Sequence, residues 1–117
     1  MSLKVFCLCA EWCRTCGDFR SAFDEVARAR DGDRFAWVDV ETHDDLLLRL
    51  DIEIETFPTL LILDAQRNVR FAGPVTPFAE TVRRLCRSSG DGTIAAPPSS
   101  ALVLRAQELI EALDGPH

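Results

Sequence analysis

The chain has no stretch approaching the roughly 18 apolar residues that a membrane-spanning helix requires, so no transmembrane segment is expected. It has no excess of basic charge: 13 Lys and Arg stand against 19 Asp and Glu, for a net charge of −6. A phosphate backbone would be repelled on average, which argues against a nucleic-acid partner. Lysine is nearly missing, Lys4 being the only one, a skew that assigns no chemistry. There is no internal repeat. Segment 1–10 is too short and too weakly basic for a secretory signal, so the expected compartment is cytoplasmic. An even set of cysteines is also missing. The five that occur, Cys7, Cys9, Cys13, Cys16 and Cys86, suit a disulfide-stapled secreted scaffold poorly. Four of them fall within ten residues, a local cluster that suggests chemistry.

What the chain does have is enough apolar matter for a single core. Of its 117 residues, 47% are hydrophobic and 27% charged, the balance of a globular domain that buries roughly two-thirds of its unfolded surface. Residues 4–9 read as a short strand with apolar side chains on both faces, the pattern of a strand covered on both sides. Residues 16–30 read as a helix, with Phe19, Ala22, Phe23, Val26 and Ala27 at helical spacing. Residues 34–40 read as a second strand, 44–50 as a short helix capped by Thr42, and 59–63 as a third strand, with Leu60 to Leu63 apolar on both faces. A turn over 64–68 leads into a fourth strand, 69–72, and closes a hairpin. Residues 77–86 read as a helix with Phe78, Val82, Leu85 and Cys86 inward. This order predicts an α/β sandwich with a mixed sheet. Residues 1–88 form the predicted domain, and 89–100, rich in Ser, Gly, Pro and Ala, the predicted linker. Residues 101–114 form an amphipathic helix with the stripe Leu102, Ala106, Leu109, Ile110 and Leu113, expected to pack on the domain or on a partner chain.

The chemistry concentrates in Trp12-Cys13-Arg14-Thr15-Cys16, at a strand-to-helix junction. A cysteine at a helix start meets partial positive charge and free N–H groups, surroundings that favour a nucleophilic sulfur. Arg14 adds a positive charge beside it. Cys13 is therefore the expected attacking thiol, forming a mixed disulfide with a substrate. Cys16, one turn later on the same side, is the expected resolving thiol. Trp12 offers an apolar contact for the substrate. Half of a zinc site is the competing reading, with Cys7 and Cys9 completing four ligands. Those two sit inside a strand that should be buried, and read better as small apolar core residues. Cys86 reads the same way, and His43 as a solvated residue.

These features together resemble the thioredoxin superfamily. The residues that carry the resemblance are Ala10-Glu11-Trp12-Cys13-Arg14-Thr15-Cys16, Val38-Asp39-Val40, Phe57-Pro58-Thr59-Leu60-Leu61-Ile62-Leu63 and Gly73, over residues 3 to 88. The resemblance implies a thioredoxin-like three-layer sandwich with a mixed four-stranded sheet. The first strand and helix of thioredoxin proper are lacking, and the C-terminal helix is extra. It implies that Pro58 is the family's cis-proline, facing Cys13 and Cys16, so that an extended substrate can pair with the backbone of Thr56 and Phe57. Arg14, Thr15 and Gly73 complete the expected substrate-binding set. Three departures stand out. Arg14-Thr15 replaces the family's Gly-Pro, a dipeptide that tunes redox poise. Cys7 replaces a buried acid that assists proton transfer from the resolving thiol. Trp37 replaces a Lys.

The expected function is thiol–disulfide oxidoreduction on protein disulfides through Cys-Arg-Thr-Cys. It needs no cofactor and no metal, and takes electrons from a thioredoxin-reductase-like protein or a small dithiol. The expected assembly is a monomer or weak dimer. A non-catalytic thioredoxin-like binding or scaffold module and a Cys-cluster zinc protein are the alternatives.

Overall fold

A computed structural model describes residues 3–30, 32–52, 54, 57–91 and 101–114. The expectation for Thr56 falls outside them, as does most of the predicted linker. The elements run β1 (Lys4–Cys9), α1 (Arg14–Ala29), β2 (Arg34–Asp39), α2 (Asp44–Arg49), β3 (Thr59–Leu63), β4 (Val69–Pro74), α3 (Ala79–Asp91) and α4 (Ala101–Asp114). The sheet order is β2-β1-β3-β4. β1 and β2 are parallel, joined through α1, whereas β3 runs antiparallel to β1 and to β4. This is the mixed four-stranded sheet with flanking helices that the element order predicts.

The two central strands are the two with apolar runs on both faces, Val5 to Cys9 and Leu60 to Leu63, and the alternation of side chains along them divides the core. Val5, Cys7 and Cys9 of β1, with Leu60 and Ile62 of β3, face Phe19, Phe23 and Val26 of α1 and Val82 and Cys86 of α3. Phe6, Leu8, Leu61 and Leu63 face the other way, onto Leu47 and Leu50 of the α2 segment and Ala106, Leu109 and Ile110 of α4. Edge strand β2 keeps its aromatics half-buried: the rings of Phe35 and Trp37 lie 5.4 and 5.7 Å from that of Phe23. The Arg20 guanidinium stands 4.8 Å over the Trp37 ring and covers its outer face.

Several boundaries differ from the sequence-based expectation, each for a physical reason. Helix α1 begins at Arg14 rather than at 16, with Cys13 as its N-cap residue. Helix α2 is preceded by His43 rather than capped by Thr42, and no side-chain cap bond forms. Asp44 and Asp45 in its first turn complement the helix dipole instead. Helix α3 runs from Ala79 to Asp91, so residues 89–91 belong to it and not to the linker. Their weak helix propensity is overridden by packing, and Ser89 is buried. Phe78, expected inward, is 62% exposed. It precedes the helix, and its carbonyl accepts the bond from the Val82 N–H, so its side chain is not on the helix's apolar stripe.

The β3–β4 turn is held by a single carboxylate. Asp64 accepts bonds from the Gln66 and Asn68 N–H groups, each at 2.9 Å, and from the Asn68 side-chain amide at 3.1 Å. Burial pushes its pKa up, but the Asn68 and Gln66 bonds and the Arg70 charge outweigh burial and hold it below the usual carboxylate value. A folded-state pKa below the unfolded one stabilises the fold above the unfolded value of about 3.9 and loses that contribution as pH falls through the folded one. Asp64→Ala is therefore expected to cost about 1–2 kcal/mol at neutral pH. Its deficit against the parent should shrink below about pH 4, read from urea unfolding at a series of pH values. An equal deficit across the acid limb would contradict this account.

Helix α4 meets the same turn from outside. Arg67, at φ 69° in the turn, pairs with Glu111 at 2.6 Å, and its carbonyl accepts from the Gln107 side chain at 2.5 Å. Exposed ion pairs contribute little. The burial of Ala106, Leu109 and Ile110 in the cluster formed with β1 and β3, with Val69 and Ala72 of β4 packed against it, carries the docking of this helix.

Candidate active site at the start of the first helix

Strand β1 ends at Cys9, and the chain turns tightly over the next four residues, where the Cys13 N–H donates to the Ala10 carbonyl at 3.0 Å. The turn delivers Cys13 to the head of α1. Cys13 has extended backbone angles and makes no side-chain cap bond. Its carbonyl accepts the first helical bond, from the Gly17 N–H at 3.2 Å. The Cys13 sulfur is thus a half-buried free thiol at the positive end of a four-turn helix. Arg14 and Thr15, next in the first turn, are exposed.

Cys16 follows on the inward face and is buried. It is not bonded to Cys13. Its partner is Cys9, the last residue of β1, with the two Cα atoms 5.8 Å apart. Cys9 had been expected to serve only as a small core residue; it is buried as expected, but its sulfur is also part of the site. Cys7, two residues earlier on the same face of the strand, is a buried free thiol with its Sγ 3.7 Å from that of Cys9. Burial pushes the Cys7 thiol far up, only partly offset by the Arg20 charge, so it stays protonated at neutral pH. It cannot stand in as the base that a carboxylate would be. Cys86, across the same core, is pushed up to about 11 by burial. Among the described residues no group of three or more His, Cys, Asp and Glu is placed to hold a metal ion.

The second wall of the site comes from the segment before β3. The Phe57–Pro58 peptide is cis. The Phe57 ring meets the Trp12 ring edge to face, with centroids 5.7 Å apart, which joins this segment to the loop carrying Cys13. Phe57 also packs on the cluster that holds Cys9 and Cys16. The Pro58 carbonyl accepts from the Val75 N–H at 3.1 Å. Gly73 pairs with Leu60 across the hairpin, and a Cβ there would meet only the Phe71 ring, at 3.8 Å, so close packing does not require the glycine. Trp12 is 70% exposed. On its far side a groove of about 540 Å³ runs between Val40, Leu47, Leu48 and Ile52, with Glu41 and Asp44 among its walls.

Residues 3–83 match the family model described as thioredoxin. Among solved structures, the germline-specific thioredoxin Deadhead of Drosophila melanogaster is 19% identical, with a TM-score of 0.62 over 74% of this chain and 80% of that one. Chloroplastic thioredoxin z is 23% identical, with a TM-score of 0.62 over 78% and 80%. The oxidised thioredoxin of Plasmodium falciparum is 17% identical, with a TM-score of 0.60 over 74% and 79%. At these identities the structural likeness speaks to the fold. No curated protein matches the chain by sequence.

Proposed function

The chain belongs to the thioredoxin family, and on that premise we propose that it is a thiol–disulfide oxidoreductase that reduces protein disulfides, with Cys13 as attacking thiol and Cys16 as resolving thiol. The observation that carries this reading is the free, half-buried Cys13 thiol at the head of α1, beside the Trp12–Phe57 contact. The Cys13 thiolate attacks one sulfur of a substrate disulfide, and the other substrate sulfur leaves as a thiolate. Cys16 then attacks the Cys13 sulfur and expels the second substrate thiol. An extended substrate lies along Thr56, Phe57 and Pro58, with Trp12, Arg14, Thr15 and Gly73 around it. Glu41 and Asp44 in the adjoining groove disfavour acidic segments there. The exchange uses no cofactor, and electrons return from a thioredoxin-reductase-like protein or a small dithiol. Cys7 stays protonated, so the proton leaving Cys16 passes to water or to Glu11.

The test is reduction of insulin disulfides with dithiothreitol as donor. The parent chain is expected to turn over. Cys16→Ser, mixed with insulin in the absence of dithiothreitol, is expected to stall as a covalent adduct at Cys13, visible as a mass increase that dithiothreitol then removes. A non-catalytic binding module is the second reading, favoured by the bond that ties Cys16 to Cys9. Absence of parental turnover above the dithiothreitol background would select it.

A further inference from the structure

The bond from Cys16 to Cys9 brings a third sulfur to a site that needs two. Cys9 and Cys16 are each 1% exposed, whereas Cys13 is half-buried and free. Cys13 packs on the same cluster that contains Cys7, Cys9 and Cys16, and the sulfurs of those three are in contact with one another where β1 ends and α1 begins. The Cα separation of 5.8 Å between Cys9 and Cys16 is typical of disulfides. No backbone rearrangement is then needed for Cys16 to be bonded to the strand rather than to its helical neighbour.

We propose that Cys9 is a redox thiol of this site: it draws the disulfide first formed between Cys13 and Cys16 inward, onto Cys9–Cys16, and returns Cys13 to the thiol state. The inference rests on the reading of Cys13 and Cys16 as the exchanging pair. When that pair has reduced a substrate, two electrons have left the chain and the Cys13–Cys16 bond exists. The Cys9 thiolate then attacks the Cys16 sulfur. The Cys9–Cys16 bond forms, the Cys13–Cys16 bond breaks, and Cys13 leaves as a thiolate that takes up a proton equal to the one Cys9 gave up. Oxidation state is unchanged, so the step needs no further oxidant or reductant. Cys7 lies alongside, its sulfur 3.7 Å from that of Cys9. The consequence is specific. A two-cysteine site loses its surface nucleophile on oxidation, whereas this one stores its disulfide in the core, where a donor reaches it only through the reverse exchange at Cys13, and keeps Cys13 able to engage another partner.

Bond position after one round of exchange decides the matter. Fully reduced full-length protein is mixed with a limiting amount of insulin, alkylated under native conditions with iodoacetamide, then digested with trypsin and a Glu-specific protease. Cleavage after Lys4, Glu11, Arg14 and Arg20 puts Cys7 and Cys9 in peptide 5–11, Cys13 in 12–14 and Cys16 in 15–20. The expected oxidised product is 5–11 linked to 15–20, with 12–14 alkylated. In Cys9→Ser the expected product is 12–14 linked to 15–20, with alkylation of Cys13 lost. The parental map stands alone if that variant does not fold. Insulin reduced but 12–14 linked to 15–20 in the parent would overturn the relay and leave the proposed function intact. So would a folded Cys9→Ser chain that reduces insulin and whose oxidised fraction still alkylates at Cys13. Insulin left unreduced by the parent would remove the proposed function, and the relay with it.

Discussion

Cys13→Ser is expected to lower insulin-disulfide turnover by on the order of a thousandfold or more, down to the dithiothreitol background. A hydroxyl at that position is not ionised near neutral pH and cannot open a disulfide, and none of the other thiols can take over. Cys7 and Cys86 are buried and held protonated, and Cys9 and Cys16 are buried as well. The fold should not suffer. Cys13 is only partly buried and its side chain makes no capping bond, while serine is a good N-cap residue that can add one. The measurement is therefore a pair: turnover and thermal midpoint on the same preparation. Loss of turnover at an unchanged midpoint assigns the chemistry to this sulfur. Turnover retained within a few-fold would remove Cys13 from the mechanism.

The second large effect concerns the helix that the rest of the domain does not predict. Leu109→Ala in α4 is expected to cost about 2–5 kcal/mol, the range for truncating a fully buried leucine. Leu109 is 0% exposed, set among Phe6, Leu8, Leu61 and Leu63 on the sheet face opposite α1. A domain of this kind holds about 5–15 kcal/mol in all, so the substitution removes a large share. Urea unfolding reads it directly. Glu108→Ala, on the exposed side of the same helix and engaged among the described residues with Arg105 at 2.9 Å, should stay within about 0.5 kcal/mol. If Leu109→Ala changed stability no more than Glu108→Ala, the intramolecular docking of α4 would be wrong. The expected result also bears on the site, because β1 lies between the two halves of the core. Phe6 and Leu8 are held from the α4 side, and Cys7 and Cys9 from the α1 side. Loosening one face loosens the strand that presents Cys9.

Much of this molecule is legible along the chain. The unbroken apolar runs over 5–9 and 60–63 identify the two central strands, because a run apolar on both faces suits a strand covered on both sides. The spacing of Phe19, Phe23 and Val26 identifies the buried stripe of α1, and a Cys-x-x-Cys pair at its start marks where the chemistry sits. These are local properties, written in the period of side chains along one element. The tertiary structure alone decided which sulfur faces which. Local spacing puts Cys13 and Cys16 one turn apart, yet whether Cys9 also comes within bonding reach depends on how the end of β1 meets the first turn of α1, a relation between two elements. The alternation of β1 already set Cys7 and Cys9 on one face; it did not say that α1 would cover that face and α4 the other. The same distinction explains α3. Ser89 looks like linker by propensity, and becomes helix because the packed face of α3 extends to it. Periodicity reports that a side chain turns inward, whereas its partner is chosen by the packing of whole elements against one another.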